Sequence, residues 1–171
     1  LLVNIVTSSE DGFDEQGYLE MLQALKLDNE LIGVIRTFND SLADAVINEG
    51  VKKLYGRDYY NEEILGLRFK VNAFSFFQTN IEAIERLYSE ALALIPDLDS
   101  KIVYDLYCGT GTISQLMASK AKKVYGIEIV QDSVDAAIDN AKMNNIDNCH
   151  FICGDVKTKL DEVTEKPDMI V

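Results

Sequence analysis

From Lys101 onward the chain alternates between short apolar runs of strand length and amphipathic segments of helix length, and this alternation narrows its possible folds more than any other feature. Strands are predicted at 101–106, 123–128, 149–153 and from 168 on, with helices over 112–120, 131–144 and 156–163 between them. A strand that returns to the same sheet through a helix does so by a right-handed crossover, so the repetition predicts a parallel sheet. The expected class is α/β: a Rossmann-like sheet seen from its first strand to its fourth, cut off as "PDMIV" gets under way.

The first half reads differently. A strand at 1–7, a helix over about 14–26 and extended segments near 31–38, 44–48 and 63–72 make an α+β piece. The helix rests on Tyr18, Met21, Leu22 and Leu25 sharing a face, and the strands on alternation in "LIGVIRTF" and "LRFKV". A long helix over about 80–95 follows, with Thr79 and Glu82 spaced as a capping box and Ile81, Ile84, Tyr88, Ala91, Leu92 and Ile95 as its apolar stripe. The best boundary is "VNAFSFFQTN", dividing the chain into 1–72 and 73–171. The strand-like opening "LLVNIV" without a methionine, and the strand-like end, read as the edges of a fragment.

Composition excludes several classes. Twenty-nine acidic against 16 basic side chains give a formal net charge of -13, so no overall positive field draws in a polyanion. No apolar run reaches the roughly 20 residues of a membrane-spanning helix, and no basic segment opens the chain as in a signal peptide, so the cytoplasm is expected. Cys108, Cys149 and Cys153 read as reduced, packed thiols, and no metal site is expected.

In open α/β sheets a ligand sits beyond the carboxyl ends of the strands. In "DLYCGTGTISQLM" Gly109 and Gly111 let the backbone turn sharply and approach a ligand, and the amides opening the next helix add partial positive charge. A tight turn without a ligand is the alternative. Glu128 closes "VYGIE" at the next strand end, where an acid can accept from both ribose hydroxyls, or can simply be exposed. Asp155 in "FICGDV" is placed to reach the exocyclic amine of an adenine, or to cap the helix after it. Two cofactors fit, a dinucleotide and S-adenosylmethionine. Ser114 stands where a dinucleotide motif wants a third Gly or Ala, and Asp105 adds negative charge where a pyrophosphate would lie, so the residues lean to S-adenosylmethionine.

"FSFFQTN", "DLYCGTGTIS" and "KKVYGIEIVQDSVDAAIDNAKMNNIDN" together resemble the RNA 5-methyluridine methyltransferase family, bacterial enzymes that methylate C5 of uracil in ribosomal or transfer RNA. The resemblance covers most of the chain and is strongest from Phe74 to Asp155. It implies a class I S-adenosylmethionine-dependent methyltransferase sheet preceded by part of a central RNA-binding domain. It matches Gln78 to a cofactor-contacting glutamine, Tyr107 to an aromatic position in the glycine loop, Thr112 to a polar residue after it, Glu128 to the ribose acid and Asp155 to a polar residue near the adenine. It further implies an RNA partner, rRNA first and tRNA second, for a monomeric enzyme. The family's cysteine nucleophile and base lie beyond its fourth strand, so both are expected after Val171 and no catalytic residue is expected in this chain. Cys108, the only cysteine near the loop, has no basic neighbour to lower its pKa and reads as packed. A methyltransferase acting on another RNA base or on protein, and a non-catalytic nucleotide-binding module, are the rival readings.

Overall fold

A computed structural model describes residues 1–10, 12–42 and 46–171. The chain forms two compact units, Leu1–Tyr60 with Val71–Phe74, and Asn61–Lys70 with Ser75–Val171.

In the first unit, β1 (Leu2–Thr7), α1 (Glu15–Ala24), β2 (Gly33–Phe38) and β3 (Gly50–Gly56) form a three-stranded sheet ordered β1-β2-β3 with its crossover helix. β1 and β2 run parallel, and β3 returns antiparallel to β2. Of the segment expected to be extended at 44–48, residues 44 and 45 lie outside the described residues and 46–48 form no strand. The strand begins at Gly50, where Asn48 Oδ1 accepts from the Gly50 amide at 3.1 Å, so "NEG" leads into a strand rather than ending one.

Helix α1 is not held by its apolar stripe. None of its residues is buried, and Met21 is 51% exposed. Its anchor is charge: Glu15 pairs with Arg36 Nη1 at 2.9 Å and with Lys52 at 2.5 Å. Hydrogen bonds from Lys52 and then Arg36 hold the Glu15 carboxyl below the usual carboxylate range. Arg36 is only 6% exposed. Its Nε donates to Thr7 Oγ1 (2.7 Å), its Nη2 to the Ser8 carbonyl (3.1 Å), and its guanidinium lies 4.8 Å and 5.1 Å from the ring centroids of Phe38 and Phe13. A desolvated cation is tolerated only with this density of partners.

Residues 63–72, expected as one extended segment, belong instead to a hairpin of β4 (Tyr59–Ile64) and β5 (Leu67–Asn72). Leu65 (φ 49°) and Gly66 (φ 80°) both take positive φ, as the two-residue turns that match strand twist require. The turn is pinned by the Leu65 amide donating to Glu85 Oε1 at 2.8 Å.

The second unit carries α2 (Ile81–Ala93), β6 (Ile102–Leu106), α3 (Thr112–Ala118), β7 (Lys123–Glu128), α4 (Gln131–Met143), β8 (Cys149–Cys153), α5 (Val156–Lys159) and β9 (Met169–Ile170). The strands form an all-parallel sheet ordered β8-β7-β6-β9, the expected α/β arrangement. Val103, Val124 and Cys149 lie side by side across β6, β7 and β8, and pack with Leu92 of α2 and Met117 and Ala118 of α3. Burying each such valine contributes about 1.5–3 kcal/mol. Asn80, not Thr79, caps α2, its Oδ1 accepting from the Ala83 amide at 3.0 Å. Past α4, Asn145 is left-handed (φ 55°), and the Ile146 and Asn145 amides return to the Ala141 and Lys142 carbonyls, a Schellman end. α5 is a single turn continued by a 3-10 turn at Leu160–Glu162, not one helix over 156–163. Among the described residues no helix is long and apolar enough to cross a membrane.

Candidate functional site

The carboxyl ends of β6, β7 and β8 converge through hydrogen bonds. The Tyr107 and Cys108 amides donate to the Ile127 carbonyl at 2.8 and 3.0 Å, so the glycine loop begins by leaning on β7. The Gly111 amide then donates to the Cys108 carbonyl at 2.9 Å, closing a tight turn in which Tyr107 (φ 68°), Gly109 (54°) and Gly111 (76°) are all left-handed. A tyrosine rarely adopts that backbone, and here it leaves the ring 74% exposed.

Glu128 braces this loop. Its Oε2 accepts from the Gly109 amide at 3.0 Å and its Oε1 from the Val130 amide at 2.9 Å. The Glu128 carbonyl accepts from Gly154 at 2.8 Å, which brings the third loop alongside. There Asp155 is exposed and caps α5, its Oδ1 accepting from the Lys157 amide at 2.9 Å.

Beside the loop lies a cavity of about 180 Å³ whose walls include Gln78, Tyr107, Gly109 and Thr112. Four sequence-derived positions thus meet in one space. Gly111, Glu128 and Asp155 do not line it. Gly111 supports the loop from beneath: a Cβ there would stand 2.7 Å from the Phe151 ring and 2.9 Å from the Ala137 Cβ. Three further lining residues, Phe76, Tyr88 and Ser133, were not assigned a role from sequence. Tyr88 was counted in an apolar stripe, where its hydroxyl was the overlooked signal. Burial, and then the charge of Asp105, push the Tyr88 phenol above its usual range, which keeps it a hydrogen-bond donor. Phe76 is 80% exposed, unusual for an aromatic side chain within a motif.

Beneath the loop Ser114, fully buried, donates from Oγ to Asp105 Oδ2 at 2.5 Å, and Asp105 is 4% exposed. Burial raises the Asp105 pKa, and the bonds from Ser114 oppose the rise. The serine that departs from the dinucleotide pattern is therefore the partner of the buried acid. Cys108 is a thiol and not a thiolate: burial, reinforced by Asp105 and Glu128, drives its pKa far above the usual range. Among the described residues no Lys or Arg lines the cavity. With Asp105 below and Glu128 behind, the site favours a cation over a phosphate.

Residues 97–171 match the family described as Methyltransferase domain. The whole chain is 47% identical to an uncharacterized RNA methyltransferase of Clostridium tetani and 48% identical to one of Clostridium acetobutylicum. Over its whole length the chain is thus similar to proteins named as RNA methyltransferases. It spans 38% of the length of each of these two relatives. Among solved structures it resembles the Pyrococcus abyssi tRNA (uracil-54, C5)-methyltransferase in complex with S-adenosyl-L-homocysteine, with a TM-score of 0.72 and 22% identity, over 99% of this chain and 38% of that one. At that identity the likeness shows a shared fold.

Proposed function

We propose that this chain is the cofactor-binding core of an RNA methyltransferase, and that the cavity beside the glycine loop takes S-adenosylmethionine. The observation that carries the reading is the cavity itself, where Gln78, Tyr107, Gly109 and Thr112 meet with no basic side chain among the described residues, near a buried Asp105. S-adenosylmethionine has a sulfonium and no phosphate, so it suits these walls, whereas a pyrophosphate would face Asp105 and Glu128 without a cation. When bound, it supplies an electrophilic methyl group.

The chain's residues then have separate tasks. Gln78 and Thr112 offer hydrogen bonds from the cavity wall, where Tyr107 adds an exposed ring. Glu128, at the end of β7 beyond the cavity wall, is assigned the ribose hydroxyls of a ligand that extends out of the cavity, while its contact with the Gly109 amide keeps the loop's shape. Asp155, exposed past the end of β8, is assigned the adenine amine of the same extended ligand in addition to capping α5. Gly111 lets the loop sit directly on Phe151.

The substrate we assign is C5 of a uridine in RNA, rRNA first and tRNA second, with residues 1–72 contributing part of the RNA contact. C5 becomes nucleophilic only after a thiolate adds to C6. Burial keeps Cys108 protonated and pushes Cys149 up to about 12, which suits neither to the role, and the family resemblance assigns that addition and the later proton removal to a cysteine and a base elsewhere in the full protein. The full protein is read as a monomer of the cytoplasm that captures an unpaired uridine.

Calorimetric titration with S-adenosylhomocysteine, with NAD in parallel, tests the pocket. Saturable binding of the first alone, weakened in Gln78→Ala and Glu128→Ala, is expected; NAD binding would overturn the assignment.

A further inference from the structure

One edge of β5 pairs with a helix instead of a strand. The Arg68 amide donates to Asn144 Oδ1 at 2.8 Å, and Asn144 Nδ2 donates back to the Arg68 carbonyl at 2.8 Å. One residue thus exchanges both backbone bonds with a carboxamide, as it would with a partner across an antiparallel ladder. Two positions on, the Lys70 amide donates to Asn140 Oδ1 at 2.8 Å.

The spacing explains why two asparagines can do this. Residues i and i+4 on a helix are about 6.0 Å apart along its axis, and residues i and i+2 on a strand about 6.7 Å, so alternate amides of β5 fall opposite Asn144 and Asn140 in antiparallel sense. Asn144 ends α4 where the Schellman turn fixes the backbone. Asn140 is 1% exposed, and its Nδ2 is the one buried side-chain nitrogen or oxygen among the described residues without a partner. An asparagine is kept there although half of it is unsatisfied, which points to the bond made by its Oδ1.

The same clamp reaches the glycine loop. Asn144 Nδ2 also donates to Oε1 of Gln115 at 3.0 Å. Gln115 is fully buried on α3, the helix that starts at Thr112 as the loop ends. On the other side, Phe69 of β5 packs on Phe77 with ring centroids 5.9 Å apart, and Phe77 precedes Gln78. Ile64 of β4 lines the cavity with Phe77 and Gln78.

We propose that Asn144, with Asn140 and Gln115, is a positioning residue of the cofactor cavity: it registers the β4–β5 hairpin against α3 and so sets where Gln78 stands relative to the glycine loop. This rests on the cavity being the S-adenosylmethionine site. The clamp touches no ligand and acts through Phe69 and Phe77.

The test is a double-mutant cycle read by calorimetry with S-adenosylhomocysteine on the 171-residue chain. Asn144→Ala is expected to weaken binding by about tenfold, within the range of coupled neighbours, and Gln78→Ala is expected to cost much less in that background than alone. Leu98→Ala, a truncation in the core of the parallel sheet outside α2, controls for stability and should lower the melting temperature while leaving the affinity of folded protein in place. Asn144→Asp, which keeps the acceptor for the Arg68 amide but loses the donor, serves if the alanine variant does not fold, with the same weakened and non-additive binding expected. Additive effects of the Gln78 and Asn144 changes, or unchanged affinity in a folded Asn144 variant, would overturn the positioning role and leave the pocket standing. No binding by the parent chain would overturn the pocket, and the clamp's role with it.

Discussion

Gly111 and Gly109 are two residues apart in one loop, both left-handed, yet an alanine at each should fail in different ways. At Gly111 (φ 76°) the added methyl would lie 2.7 Å from two atoms of the Phe151 ring and 2.9 Å from the Ala137 Cβ. Neither neighbour is the loose end of a flexible chain, since Phe151 packs against the core cluster and Ala137 is fully buried. A left-handed non-glycine residue costs roughly 1–2 kcal/mol. Overpacking a filled interior adds about 1–3 kcal/mol. A central value of about 3 kcal/mol corresponds to a melting temperature lower by roughly 6–12 °C in a protein of this size. At Gly109 (φ 54°) a Cβ meets nothing within 4 Å, so only the conformational term applies, about 1–2 kcal/mol. The Gly109 methyl would stand at the cavity wall, so its larger effect falls on S-adenosylhomocysteine affinity. Thermal unfolding by circular dichroism and calorimetric titration of both variants separate the two. Equal losses of stability, or a Gly111→Ala variant as stable as Gly109→Ala, would refute the reasoning from close packing.

The pH dependence of stability should carry two opposed contributions. Burial raises the Asp105 pKa, so its contribution is complete below the unfolded carboxylate pKa and is lost as pH rises through the folded value; in urea titrations, Asp105→Asn should therefore gain on the parent as pH rises above the ordinary carboxylate range. Glu165 behaves oppositely, because hydrogen bonds from Lys123 and then Tyr125 lower its pKa. Its stabilisation is present above the ordinary carboxylate range and lost on acidification, so Glu165→Gln should flatten the acid limb of the same titration.

The second unit was legible because its periodicity and its packing agree. Alternation places Val103, Val124 and Cys149 on one face of their strands, and the structure buries them together. The Leu65–Gly66 turn was not legible, since leucine is not a turn former and its left-handed backbone is held by Glu85, a partner distant in sequence. Of the segment 44–48, the apolar pair Val46 and Ile47 suggests a strand by composition, but residues 46–48 form none and the strand starts at Gly50. In the site, a motif can indicate that Gln78, Tyr107, Gly109 and Thr112 belong together, because residue identity and spacing carry that information. It cannot indicate that Glu128 spends one oxygen on the Gly109 amide, a choice made only when two strand ends meet. Tyr88 was missed because a stripe read for apolarity hides a hydroxyl.

The centre of the first sheet is organised around a permanent cation, and that alters how this unit can lose its structure. A hydrocarbon core tolerates gradual erosion, since each truncated methyl removes a little contact. Arg36 cannot release its proton, so any loss among Glu15, Thr7 or the two flanking rings leaves a desolvated charge with fewer partners. The helix, the first strand and the segment carrying Phe13 are therefore bound to a common fate, and the unit should open as a whole rather than fray from its exposed helix. A replacement helix with a better apolar face but no acid at position 15 would be the worse fit.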